Sequence, residues 1–256
     1  MYLTATALKT YLSCPYKFYL SHIKKLRRKV PKASIAFGTT IHASIEKFFI
    51  EGISPETTFR NIWQAEQETE YEYSNGDTHT ILLKMGEEIL KKWKNHPDTP
   101  REYISVEEQR YIEIEGKVPF WSTIDFVGKD MLLDWKTANA RYSEHKVKLD
   151  LQLTAYAYVL AETEKTPERV GFGVFIKKKS PEIQYLFATR TVEDLENFKK
   201  IVLKVWKDIE EEHFYKNPGV SCAWCDYLPI CIGEDADVEE KFIVVSDRYS
   251  DKHIEE

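Results

Sequence analysis

The segment from Trp121 to Thr137, WSTIDFVGKDMLLDWKT, carries two carboxylates and a lysine at spacings suited to hydrolysing a phosphodiester. Alternation along a strand puts Asp134 and Lys136 on one face, with Leu133 and Trp135 on the other. Gly128-Lys129-Asp130 signals a turn. An even-length turn brings Asp125 to that same face, opposite or diagonal to Asp134 and about 4.5–8 Å away. Carboxylates that close repel each other unless a cation lies between them. Oxygen ligands with incomplete protein coordination suit magnesium or manganese, which keep waters and accept substrate phosphate. A neighbouring lysine can hold a developing hydroxide or stabilise charge building on a scissile phosphate. The bland alternative is an exposed hairpin with a surface salt bridge, but an acid inside the apolar run MLLDW is costly to bury unpaired.

Flanking residues extend the set. His42 and Glu46, in GTTIHASIE, fall one turn apart on a helix face, and a neutral imidazole can complete the coordination of an ion such as manganese. Gln152 and Tyr156 share the same i, i+4 relation on a later helix, where they could position a phosphate or the lysine. Glu107, in ISVEEQRYI, is a candidate outer-shell acid. Cys14 stands alone near the start, and Cys222, Cys225 and Cys231 cluster near the end. Three clustered thiols plus a distant one suit a four-Cys iron–sulfur cluster that clasps the two ends of the chain. Structural zinc and buried or disulfide-bonded cysteines stay open beside it.

The elements that must position these groups follow from periodicity. Helical spacing covers 5–20, where Pro15 must sit in a first turn or a break, then 35–50 and stretches near 55–72 and 79–94. NHPDTPRE (95–102) marks a connection. Residues 103–114, 118–127 and 131–136 read as strands, 149–162 as helix, 169–177 and 182–189 as strands, and 191–214 as a long helix. The expectation is an α/β domain with a mixed central sheet flanked by helices. Residues 1–233 then form a single unit: 1–100 mainly helical, 101–190 the sheet core, 191–233 a helix plus the cysteine segment. An acidic tail, 234–256, follows.

Of 256 residues, 43% are hydrophobic, enough for a sizeable core and against wholesale disorder. The formal charge of −6 does not by itself exclude a nucleic-acid partner. Residues 234–256 hold nine acids against three bases, so the rest sums to zero, while 17–32 contains seven bases and no acid. Within that strip Lys24, Lys25, Arg27 and Arg28 are candidate phosphate contacts; a solvated helix end is the alternative. No apolar run is long enough to span a bilayer, and the N-terminal residues lack a signal-peptide pattern, so a cytoplasmic location and no membrane partner are expected.

Taken together, these pieces resemble the RecB-family branch of the PD-(D/E)XK nucleases. The likeness is to its iron–sulfur members: CRISPR-associated RecB-like exonucleases, their phage-encoded relatives and the nuclease domain of the AddAB helicase–nuclease. It runs from SCPYKFYL (13–20) to CAWCDYLPIC (222–231), with Cys-Pro, G-x3-H-x3-E, I-D, D-x-K and Q-x3-Y in order before the terminal Cys trio. It implies a restriction-endonuclease-like core in which His42, Asp125, Asp134 and the Trp135 carbonyl ligate magnesium or manganese. Lys136 would activate the attacking water, and Gln152 and Tyr156 would position substrate. Cys14, Cys222, Cys225 and Cys231 would hold a 4Fe-4S cluster. Asp134 stands where many relatives carry Glu, one methylene longer.

The resulting expectation is a divalent-metal-dependent exonuclease acting on single-stranded DNA or DNA ends. The setting would be recombination, repair or CRISPR adaptation in a bacterial, archaeal or phage-infected cell, with a helicase or integrase partner. A DNA-end-binding adaptor with a vestigial site and an RNA-directed nuclease are the competing readings.

Overall fold

A computed structural model of the chain describes residues 1–74, 76–164, 166–234 and 238–245. It divides into two compact units, Met1–Ala5 with Pro31–Val202, and Thr6–Val30 with Leu203–Glu256. Along the chain run α1 (Ala5–Ser13), α2 (Pro15–Phe18), β1 (Leu26–Arg28), α3 (Ala33–Glu51), α4 (Pro55–Ala65) and α5 (His79–Asn95). Then come β2 (Ser105–Ile114), β3 (Val118–Val127), β4 (Met131–Ala138), α6 (Glu144–Leu149), α7 (Leu151–Thr163), β5 (Arg169–Ile176) and β6 (Glu182–Ala188). The last are α8 (Val192–Glu210), α9 (Leu228–Ile232), α10 (Val238–Lys241) and β7 (Phe242–Val244). Among the described residues, no helix is long and apolar enough to cross a membrane.

The first unit is a five-stranded mixed sheet in the order β2-β3-β4-β5-β6. Strands β4 and β5 are parallel, and the other neighbours are antiparallel. The parallel pair needs a crossover, which α6 and α7 provide. One face of the sheet packs Ile124, Leu132, Phe172 and Val174 against Leu153, Ala157 and Leu160 of α7. The opposite face packs Trp135, Phe126 and Phe175 against Phe37, Ile41 and Trp93 from α3 and α5. This is the expected α/β layering with helices on both sides.

The second unit holds the loop-rich cysteine segment and a two-stranded ribbon, β1 with β7, with Leu20, Tyr227 and Phe242 as its small core.

Three readings differ from the structure. The stretch near 55–72 is helical only to Ala65. Beyond it Glu66, Glu68, Glu70 and Glu72 crowd like charges into the next turns, and Tyr71 leaves the helix to stack on Trp63 at 6.1 Å. The last long helix stops at Glu210, after which Glu212 takes a left-handed φ of 56°. Both ribbon strands went unread, being three residues each and paired across more than 200 positions. Pro15 does occupy a first turn, following an extended Cys14.

Candidate active site

The tip of the β3–β4 hairpin sets the geometry. Gly128 N–H donates to Met131 O at 2.8 Å, leaving Lys129 and Asp130 to turn the chain. Val127 then pairs with Leu132 and Phe126 with Leu133. Continuing that register places Asp125 opposite Asp134, the even-length outcome. At that point the ladder gives way, and the Trp135 N–H donates to Asp125 Oδ2 at 2.7 Å. On the other side of β3, Val106 pairs with Phe126 and Glu108 with Ile124, so Glu107 lies across from Asp125. Three acids therefore form a row over β2, β3 and β4: Glu107, Asp125 and Asp134.

Helix α3 brings His42 onto this row. Its Nε2 donates to the Trp135 carbonyl at 2.9 Å, and its Nδ1 lies 3.3 Å from Glu107 Oε1 and 3.4 Å from Asp125 Oδ2. His42, Glu107 and Asp125 each offer a donor atom within 4.8 Å of one another. Asp134 Oδ2 meets Lys136 Nζ at 2.6 Å, while Oδ1 is buried without a hydrogen-bond partner. Lys136 Nζ also donates to Gln152 Oε1 at 3.2 Å, and Gln152 Nε2 donates to the Tyr156 hydroxyl at 2.7 Å. Helix α7 holds that pair in register through its N-cap. Asp150 Oδ1 accepts from the backbone N–H of Gln152 at 2.8 Å and of Leu153 at 3.2 Å.

The electrostatics follow from burial and crowding. Asp125 is 5% exposed and Asp134 fully buried. Burial, then the neighbouring Asp134, pushes Asp125 up to about 8 against the pull of His42. Burial likewise raises Asp134, partly offset by Lys136. Burial works against a charged His42, but Glu107, Asp125 and Asp134 overcome it and raise its pKa to about 9. Acids that retain protons next to a histidine that gains one mark a pocket short of positive charge. The unsatisfied Asp134 oxygen, the crowded carboxylates and the imidazole together fit a divalent cation.

The structure thus gathers His42, Asp125, Asp134, the Trp135 carbonyl, Lys136, Gln152 and Tyr156 into one site. Glu107 enters more closely than an outer-shell acid, in direct reach of His42. Its φ of 50° is a left-handed conformation that costs a non-glycine residue about 1–3 kcal/mol. The sequence offered Glu107 as an outer acid, and the β2–β3 register is what brings it within reach of His42.

In the second unit, Cys14, Cys222, Cys225 and Cys231 line one cavity of about 310 Å³, all four half-buried and none in a disulfide. Burial raises the Cys225 thiol, against hydrogen bonding from the Tyr227 backbone and the charge of Lys17. Four convergent sulfurs suit either a cluster or a zinc ion. The basic strip is engaged locally. Arg27 donates to the backbone carbonyls of Ser21 and Leu26, Arg28 pairs with Asp226 at 3.4 Å, and Lys24 lies 5.4 Å from the Tyr19 ring centre. Lys25 takes a left-handed φ of 55° just before β1.

A mixed sheet whose hairpin presents two buried acids and a lysine, met by a histidine from α3, has the groups that metal-assisted phosphodiester hydrolysis needs. The chain belongs to the PD-(D/E)XK nuclease superfamily, whose family model matches residues 2–232. Among solved structures, one from Eubacterium rectale, provisionally described as an exonuclease, is similar in fold. Its TM-score is 0.58 at 11% sequence identity, covering 88% of this chain and 87% of that one. No curated protein matches the sequence.

Proposed function

We propose that this nuclease is a divalent-metal-dependent deoxyribonuclease, an exonuclease acting on single-stranded DNA or DNA ends. The observation that carries the reading is the buried Asp125–Asp134 pair with Lys136 Nζ held at 2.6 Å from the second acid. His42, Asp125, Asp134 and the Trp135 carbonyl would hold magnesium or manganese, with Glu107 beside them, and the imidazole nitrogen favours manganese. When bound, the ion supplies Lewis acidity and eases deprotonation of the attacking water.

The chain's own groups do the rest. Burial opposes charge on Lys136, yet Asp134 and Asp125 hold its pKa above the usual lysine value, so it remains an ammonium group. It therefore acts as a donor, orienting the incoming water and meeting charge that builds on the phosphate oxygens, and does not take up a proton. Gln152 fixes where Nζ points, and Tyr156, whose hydroxyl is kept protonated chiefly by burial, fixes the Gln152 amide.

The four cysteines support a second part of the proposal: a 4Fe-4S cluster in the second unit, placing the chain in the iron–sulfur RecB-like branch, with residues 1–233 working as one nuclease domain. A role in recombination, repair or CRISPR adaptation beside a helicase or integrase follows from the same resemblance. A brown sample with iron and acid-labile sulfide supports the cluster; a colourless one with stoichiometric zinc overturns it.

The chemistry is tested on end-labelled single-stranded DNA with magnesium and with manganese, beside Lys136→Ala. Cleavage by the natural chain that falls at least about a hundredfold in the variant is expected, the scale of losing one transition-state donor. Equal activity in the two would remove Lys136 from the mechanism, and inactivity on DNA with cleavage of a matched RNA strand would change the substrate.

A further inference from the structure

Arg190 carries a charge into the interior. Arginines are ordinarily at the surface, yet this one is only 9% exposed. Its backbone is fixed where β6 leads into α8. Thr191 Oγ1 accepts from the Asp194 N–H at 3.1 Å while the Thr191 N–H donates to Asp194 Oδ2 at 2.7 Å, a reciprocal cap on the first turn of α8. From there the guanidinium reaches across to one place, the joint between α6 and α7. Nη2 donates to the Val147 carbonyl at 2.9 Å and to the Asp150 carbonyl at 3.2 Å, and Nε donates to Thr154 Oγ1 at 2.7 Å. Nη1 turns back to the Thr189 carbonyl at 3.0 Å. All four acceptors are neutral oxygens. Burial works against the charge, and Asp194 and Asp150 support it.

That joint is a single non-helical residue. Asp150 ends α6 and caps α7 in one extended conformation, φ −72° and ψ 122°. A helix's last carbonyls have no partner within it, and Arg190 supplies one for Val147. Thr154 lies two residues beyond Gln152, about 200° around the helix, so it faces away from Gln152 and Tyr156. Arg190 therefore grips the back of the first turn of α7, while the front of that turn meets Lys136 Nζ through Gln152 Oε1.

We propose that Arg190 is a positioning residue of the nuclease site: by bracing the α6–α7 joint it sets the rotation of α7, and so where Gln152 directs the Lys136 ammonium group. This deepens, and rests on, the reading of Lys136 as the donor to water and phosphate. Two observations favour it over a brace for the fold alone. Apart from the neighbouring Thr189, every acceptor lies between Val147 and Thr154, and one side chain, Gln152, links that stretch to Lys136. An apolar side chain could fill the same space, often without loss of stability, whereas holding three oxygens of one joint needs the arginine fork.

The test is a cycle of Arg190→Met and Gln152→Ala in the full chain, read as kcat on end-labelled single-stranded DNA at saturating manganese. Arg190→Met should lower kcat about 10- to 100-fold, the scale of a misplacement of about 1 Å, with KM changed less than about twofold. In a Gln152→Ala background the same change should cost less than about twofold, because the side chain it acts through is gone. Arg190→Lys keeps the charge without the fork and should recover only part of the loss. Thr154→Val removes one of the three bonds at similar size; it should repeat the pattern at smaller amplitude, and it replaces Arg190→Met if that chain does not fold. Independently of cleavage, nitrogen-15 spectra in a chelator should show the Gln152 and Leu153 amides of Arg190→Met exchanging at least about tenfold faster, with the Gln152 side-chain amide shifted. Losses that multiply in the double variant, or amides that exchange as in the natural chain, would overturn the positioning role. A natural chain that cuts only a matched RNA strand ends the deoxyribonuclease reading, and the same cycle on RNA then decides the role of Arg190. A natural chain that cuts neither strand overturns the assignment of Lys136 and this role with it.

Discussion

Glycine 173 offers a perturbation outside the acids that should reach them. It sits on β5 directly against the Trp135 indole, and a Cβ there would lie well inside 3.0 Å of the ring's Cζ3 and Cε3 atoms. The ring has nowhere to go: it is 1% exposed and packed against Trp93, Phe126 and Phe175, all with centroids within about 6 Å. Gly173→Ala must therefore shift the β4 backbone or strain the indole, which for an added methyl in a full core costs about 1–3 kcal/mol. At about 2–4 °C per kcal/mol for a domain of this size, Tm should fall by about 2–12 °C. Trp135 also supplies the N–H bonded to Asp125 and the carbonyl bonded to His42, so the same shift should raise the manganese concentration needed for half-maximal cleavage. A cycle with Trp135→Leu separates the effects: once the indole is gone, Gly173→Ala should cost less than about 1 kcal/mol. Melting curves and metal titrations read both quantities. A Gly173→Ala chain with natural Tm and metal dependence would refute the coupling between β5 packing and the site.

Other consequences can be checked similarly. His42 rises from 6.5 to about 9 and Asp125 from 3.8 to about 8, so the folded chain binds more protons than the unfolded one across that range. Stability in a chelator should therefore decline as pH rises from about 6.5 to 9, and manganese should flatten the decline; a Tm that climbs over that interval without metal would contradict it. Asp150→Ala removes the α7 N-cap and should cost about 1 kcal/mol, with a drop in kcat exceeding that of a cap on a helix remote from the site, such as Thr78→Ala on α5. Cys14→Ser should lower thermal stability more than it alters cleavage; full stability with lost cleavage would end the clasp picture.

What the sequence determined is everything whose cause is local. Alternation in β2 through β6, helical spacing in α3 and α7, and the Gly128-Lys129-Asp130 turn each rest on contacts a few residues apart, and all lie close to where periodicity puts them. The even turn also made the meeting of Asp125 with Asp134 legible, because parity alone decides which face a strand residue takes. Gln152 and Tyr156 were visible as an i, i+4 pair for the same reason. Tertiary structure decided the rest. Whether Glu107 or Glu108 faces the histidine depends on cross-strand register and a left-handed backbone that no local preference favours. That Leu26–Arg28 pairs with Phe242–Val244, and that Tyr2 joins Trp121 and Tyr111, depends on segments far apart in the chain finding each other. Such contacts form because pairing and burial outweigh the entropy of closing a long loop, a balance that three-residue patterns do not carry.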